Sequence, residues 1–217
     1  MQNKFKLIAV LCFILLNALF VCGQKKIITS SEYYSAYSAA SQKQYDVSRR
    51  VETVTETYAD GVVSSKKNTL SETILPNKSR YVVKEQKGDT ITERESITID
   101  NFLYKRENGG AWTKIDLSKM NGMGSGSGSG GSCISRQITV EQSFLNNFSA
   151  KLYEMIDISE SNLGLRYKEE KSWISDEGFL LKNETSNGLL IPKVETSKTV
   201  TTYEYNPTDL KIEAPIK

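Results

Sequence analysis

Residues Thr90 to Leu117 read TITERESITIDNFLYKRENGGAWTKIDL, and the way this stretch divides decides the fold. A first strand ends at Ile97-Thr98-Ile99. Asp100-Asn101 suits a two-residue hairpin loop, because both residue types tolerate positive φ. Phe102 to Arg106 forms a second strand. Glu107-Asn108-Gly109-Gly110 then reverses the chain into a third, Ala111 to Ile115. Three strands and two tight turns make an antiparallel meander. The stretch contains no catalytic chemistry.

The same grammar extends in both directions. Upstream, Val51 to Tyr58 is a long Thr/Val-rich strand closed by Ala59-Asp60-Gly61. Val62 to Thr73 is the returning strand, and Pro76-Asn77-Lys78 turns into Arg80 to Lys84. Downstream, strands are expected over Ile138–Phe144, Ala150–Ile156, Leu163–Ile174, Phe179–Glu184 and Lys193–Tyr205, with Asn187-Gly188 marking a further turn. Leu210 to Pro215 is a short closing segment. Hairpin-length turns without intervening helices mean antiparallel pairing, not βαβ units. The expectation is about nine or ten strands against one helix. That helix starts at Thr29-Ser30-Ser31-Glu32, which has capping-box spacing with Ile28 set to staple against Tyr33, and runs to about Gln44. Tyr33, Tyr37 and Ala40 share its inner face.

Composition removes several function classes. Lys4 and Lys6 precede an apolar run from Leu7 to Val21, and Val21-Cys22-Gly23 places cleavage before Gln24. This is a secretory signal peptide over residues 1–23, since 15 apolar residues fall short of the roughly 20 that span a bilayer. Acylation of Cys22 is the competing reading, but bulky Phe20 and Val21 precede it. Both cationic residues of that segment leave with it, so 26 Lys and Arg face 26 acidic residues in the remainder, a net charge of zero. Neutrality with interspersed signs argues against nucleic acid. The chain has no histidine, so Ser-His-Asp and Cys-His nucleophile systems and imidazole ligation are excluded. Cys133 is the only cysteine after the expected cleavage, so no internal disulfide forms. Residues 121–132 are a flexible glycine/serine loop within one domain of residues 24–217. Three Asn-x-Ser/Thr triplets, at Asn77, Asn147 and Asn183, are about as many as composition yields by chance. Paired glutamates such as Glu93/Glu95 and Glu169/Glu170 fit a solvated sheet face better than a hydrolase cleft.

The aromatic residues carry more. Phe102, Tyr104, Trp112, Tyr167 and Trp173 all fall on expected strands, and Tyr33 and Tyr37 on the helix. Their order along the chain, with Gly109-Gly110-Ala111-Trp112, Trp173-Ile174-Ser175-Asp176-Glu177-Gly178-Phe179-Leu180 and the final Thr199 to Tyr205, resembles the outer-membrane lipoprotein carriers (LolA-like, including LppX-like lipoproteins). That resemblance covers roughly Ser30 to Pro215. It implies a strongly curved, unclosed half-barrel of antiparallel strands with the N-terminal helix against its concave face. It also implies a non-enzymatic secreted or periplasmic protein that holds a lipid or lipoprotein acyl chains in the hollow, without metal or cofactor. Tyr33, Tyr37, Phe102, Tyr104, Trp112, Tyr167 and Trp173 are the expected lining. A monomer in transient contact with a membrane is the expected state. The glycine/serine run and the single helix depart from that family's pattern. The alternative is a cell-surface structural or protein-interaction module with a filled core and no ligand.

Overall fold

The computed structural model describes residues 25–119, 133–161 and 164–216. The expected signal peptide, Cys22 and the glycine/serine loop lie outside them.

The helix forms where its cap predicts. Thr29 accepts from the Glu32 N–H, and the Glu32 carboxylate accepts in return from the Thr29 N–H at 2.7 Å. From that cap, α1 runs over Ser30–Lys43, and a 3-10 turn over Gln44–Asp46 leads into the sheet. The strands are β1 (Lys26–Ile27), β2 (Arg49–Ala59), β3 (Val62–Ile74), β4 (Lys78–Lys87), β5 (Thr90–Ile99), β6 (Phe102–Glu107), β7 (Thr113–Asp116), β8 (Cys133–Leu145), β9 (Phe148–Ser161), β10 (Gly164–Ser175), β11 (Leu180–Leu189) and β12 (Val194–Tyr205).

These strands form one antiparallel sheet in the order β1-β8-β9-β10-β11-β12-β2-β3-β4-β5-β6-β7. It is unclosed and curved, as expected, with twelve strands in place of nine or ten. Eleven of the twelve correspond to stretches read individually as strands, and the one without a counterpart is β1, whose two residues pair with Thr139 and Val140; a strand that short has no periodicity to read. Strands from both sides of residues 120–132 share the sheet, which β12 and β2 join through nine residue pairs from Ser197↔Thr57 to Tyr205↔Arg49.

Several turns behave as their residues dictate. Asp60, Asp100, Asn108, Asn146 and Asn147 all adopt positive φ between 48° and 68°, the conformation a two-residue hairpin needs. Asn187-Gly188 does not turn the chain. Both residues lie inside β11, and the reversal comes at residues 190–193. Glycine is needed at 188 for another reason. A Cβ there would meet the Val194 carbonyl oxygen and come 2.6 Å from the ring of Tyr167, its cross-strand partner.

Opposed residues in antiparallel strands point to the same face, so register assigns every side chain to one of two sides. One side is covered by α1. Tyr33, Ile138 and Met155 form one buried cluster there, and Ala40, Ile174 and Leu180 form a second, with Tyr37 and Tyr153 packed against both. This core sits over β8 to β12. The other core lies on the opposite side of the sheet, over β3 to β6. Ile97, Tyr104 and Ile212 are buried together there, with Ile74, Ile99 and Trp112 against them.

Beside that second core runs a ladder of charge across six strands. Arg50 Nε donates to Glu72 at 2.9 Å and its Nη1 to Glu204 at 3.1 Å. Arg80 bridges Glu72 and Glu95 at 3.4 and 2.7 Å, and Arg106 closes on Glu95 at 2.6 Å. Glu72 and Glu95 are each 5% exposed, a burial that carboxylates tolerate only when paired. Burial alone would raise the Glu95 pKa, but hydrogen bonds from Arg80 and Arg106 hold it below the usual carboxylate value.

Candidate functional site

Beneath α1 the space is filled. Tyr33 is 1% exposed, and its ring lies 5.2, 5.9 and 6.0 Å from those of Tyr34, Tyr37 and Tyr153. Its hydroxyl donates to Glu170 at 2.7 Å and lies 3.3 Å from Ser172 Oγ. Asn183 donates to Ser172 at 2.9 Å, and Lys168 pairs with Glu170 at 2.7 Å. Burial works to raise the Glu170 pKa, yet the bonds from Lys168, Tyr33 and Asn183 leave it lowered. Burial also drives the Tyr33 phenol well above its ordinary value and pushes Tyr203 up to about 12. This network anchors the helix and leaves those phenols protonated across the biological pH range.

The seven residues expected to line one hollow are divided by the sheet. Tyr33 and Tyr37 lie under the helix. Tyr167 and Trp173 lie on β10, where Glu170, Ser172 and Ile174 face α1, so parity turns Tyr167 and Trp173 to the other side. Lys193 Nζ stands 5.4 Å from the Tyr167 ring and Lys182 Nζ 5.2 Å from that of Trp173. Phe102 and Tyr104 do share a face, as their spacing demands, but it too is the side away from α1. Tyr104 is 4% exposed in the second core, with Trp112 against it. Phe102 lies at the margin under Lys114, 4.4 Å away. Five of the seven therefore cannot line a space between helix and sheet.

Away from the helix the same side of the sheet is open in several places, one of them farther along the sheet. The neighbouring strands present hydroxyls there. Thr53 pairs with Thr201 and Thr55 with Thr199, each at 3.1 Å. Beyond this seam a hollow of about 610 Å³ opens over β3 to β7. Tyr81, Val83, Ala111 and Ile115 give it an apolar floor, and Lys67, Arg94 and Lys105 stand around it with Glu85 and Glu107. Arg94 reaches Glu107 at 3.6 Å. A second hollow of about 560 Å³ lies near the far end of α1, lined by Phe148, Phe179, Leu181, Tyr203 and Tyr205 among others, and a third of about 790 Å³ lies over β8 to β12, lined by Arg136, Asp157, Arg166, Lys168 and Asn187 among others. The sequence contained one signal for the first: Tyr81 and Val83 alternate on a strand read correctly. Nothing local said that their side would be left open while the side of Tyr104 was covered.

Among the described residues, no group of three or more Cys, Asp or Glu side chains is placed to hold a metal ion. No helix among them is long and apolar enough to cross a membrane.

No family model and no curated protein matches the chain. Solved structures do. The chain is similar to LprF from Mycobacterium bovis, at 11% identity over 87% of this chain and 99% of that one, with a TM-score of 0.44. It is also similar to the LolA superfamily protein NE2245 from Nitrosomonas europaea, at 10% identity over 78% and 91%, with a TM-score of 0.27. The architecture stands on the strand order and register given above.

Proposed function

We propose that the chain is a non-enzymatic binding protein of the secreted or periplasmic space. In this reading it holds a lipid or an acyl chain in the hollow over β3 to β7. The observation that carries this is the incomplete reach of α1. The helix packs on its side of β8 to β12, where the remaining hollow of about 790 Å³ is lined by charged groups such as Arg136, Asp157, Arg166 and Lys168, and it leaves the same side of β3 to β7 with an open space of about 610 Å³. That volume lies within the range of small-molecule sites. Its floor of Tyr81, Val83, Ala111 and Ile115 suits hydrocarbon, and Lys67, Arg94 and Lys105 suit the anionic end of an amphiphile. The family resemblance points the same way. The sequence has no histidine, so no Ser-His-Asp or Cys-His nucleophile system is available to it.

The test is native mass spectrometry and solvent extraction of the purified protein, followed by titration with a fluorescent fatty acid. Co-purifying lipid and saturable binding are expected, with affinity falling about tenfold or more in Val83→Glu. Phe148→Glu, at the second hollow, should leave binding intact. Loss with Phe148→Glu and none with Val83→Glu would move the site; absence of lipid and of binding would overturn the reading.

A further inference from the structure

The side of the sheet away from α1 is closed by the chain's own C-terminal segment. Beyond β12 the backbone takes a positive φ of 50° at Asn206, whose N–H donates to the Ser48 carbonyl at 2.8 Å. Asp209 then lies against Arg50, with carboxylate oxygens 3.3 and 3.0 Å from the two terminal guanidinium nitrogens. Three residues later Ile212, 3% exposed, is buried with Ile97 and Tyr104. From Pro207 to Ile216 the segment forms neither helix nor strand. Arg50 belongs to β2 and Ile97 to β5, three strands away and thus about 14 Å at ordinary strand spacing. The segment therefore crosses the strands and does not extend the sheet.

Two features set this surface apart from an ordinary core. The first is the state of the charges. Glu72 and Glu95 are each answered within the ladder by arginines of the sheet, whereas Arg50 also turns both terminal nitrogens outward to Asp209. A planar fork of this kind selects a carboxylate by geometry as well as charge. The second is the apolar socket. Ile97, Tyr104, Ile74, Ile99 and Trp112 all come from the sheet and its loops, and Ile212 is the one member contributed by the segment.

We propose that this surface is a peptide-binding groove for an extended segment carrying a carboxylate and, three residues on, an aliphatic side chain. Asp209-Leu210-Lys211-Ile212 is its resident occupant. The external ligand it fits is the same segment of a second copy of the chain, which presents the same two anchors in the same order. Vacating the groove in one copy thus opens it to the segment of another. This site is separate from the hollow over β3 to β7, on the other side of the sheet, and does not depend on what that hollow holds.

The experiment is fluorescence anisotropy with a labelled peptide of residues 206–216, NPTDLKIEAPI, added to the full chain and to the full-length D209A/I212A variant. The natural chain, whose own segment competes, should bind weakly. The variant should bind at least tenfold more tightly, and a peptide bearing the same two substitutions should bind neither protein. Equal affinities, or no binding by a folded variant, overturn the proposal. If the double variant fails to fold, Asp209→Ala alone decides. That position is exposed, so the fold should persist and peptide affinity should rise about threefold; no rise overturns the proposal.

Discussion

The two halves of this sheet bury opposite faces. Over β8 to β12 the covered side is the one beneath α1, and phenols fill the contact. Over β3 to β6 the covered side is the other, and eleven residues after β12 supply the cover with a single buried isoleucine and one carboxylate. The halves meet at β12 and β2, where threonine hydroxyls pair across the seam. A sheet that is continuous in hydrogen bonding is therefore discontinuous in core. The consequence is open surface, and the hollow over β3 to β7 is one part of the helix side that α1 does not reach.

If the cores are separate, substitutions in each should act alone. The largest effect is expected from Tyr33→Ala, which removes a buried ring and its bond to Glu170, at about 3–5 kcal/mol by analogy with large aromatic truncations. Glu95→Ala in the other half should cost about 3 kcal/mol, because it leaves Arg80 and Arg106 without their shared carboxylate. Combined, the two should add to within about 0.5 kcal/mol in urea unfolding; strong coupling would show one core in place of two. Gly188→Ala comes next, at about 1–3 kcal/mol, from the crowding against Tyr167 and Val194. Wild-type stability there would break the account of that glycine.

The smallest effect is in pH. Glu95 and Glu170, one in each half, both have lowered pKa values in the folded chain. A depressed carboxylate stabilises the fold above its unfolded value, roughly 4.3, and that contribution disappears as pH falls through the folded value. Stability should therefore be flat from pH 7 to 5 on account of these groups and decline below about 4. Glu95→Gln and Glu170→Gln should each remove part of the slope, and the full slope should survive neither.

Much of the fold was legible because its determinants are local. The capping box at Thr29 and Glu32, the Asp100 turn and the parity of Phe102 with Tyr104 each rest on residues a few positions apart. What parity cannot say is which side of a strand will be covered. Tyr104 is buried because Ile212, far along the chain, lies on it, and Tyr81 is left open because no comparable segment among the described residues covers it. The charge ladder was equally illegible, since Arg50 meets Glu72 and Glu204 only after β2 is flanked by β3 and β12. Asn187-Gly188 misled for a different reason. Its glycine answers to a tyrosine on the neighbouring strand and not to a change of chain direction.

The two margins of the sheet are unequal. At one, β7 has four residues, followed at once by a 3-10 turn over Leu117–Lys119. At the other, β8 has thirteen, of which the segment from Lys26 to Ile28 covers Ile138, Thr139 and Val140. Unpaired backbone along a strand edge is a template for another chain. Among the described residues the margin at β8, with Ile134 and Phe144 exposed on either side of the covered stretch, is thus the longer template for strand addition by another copy.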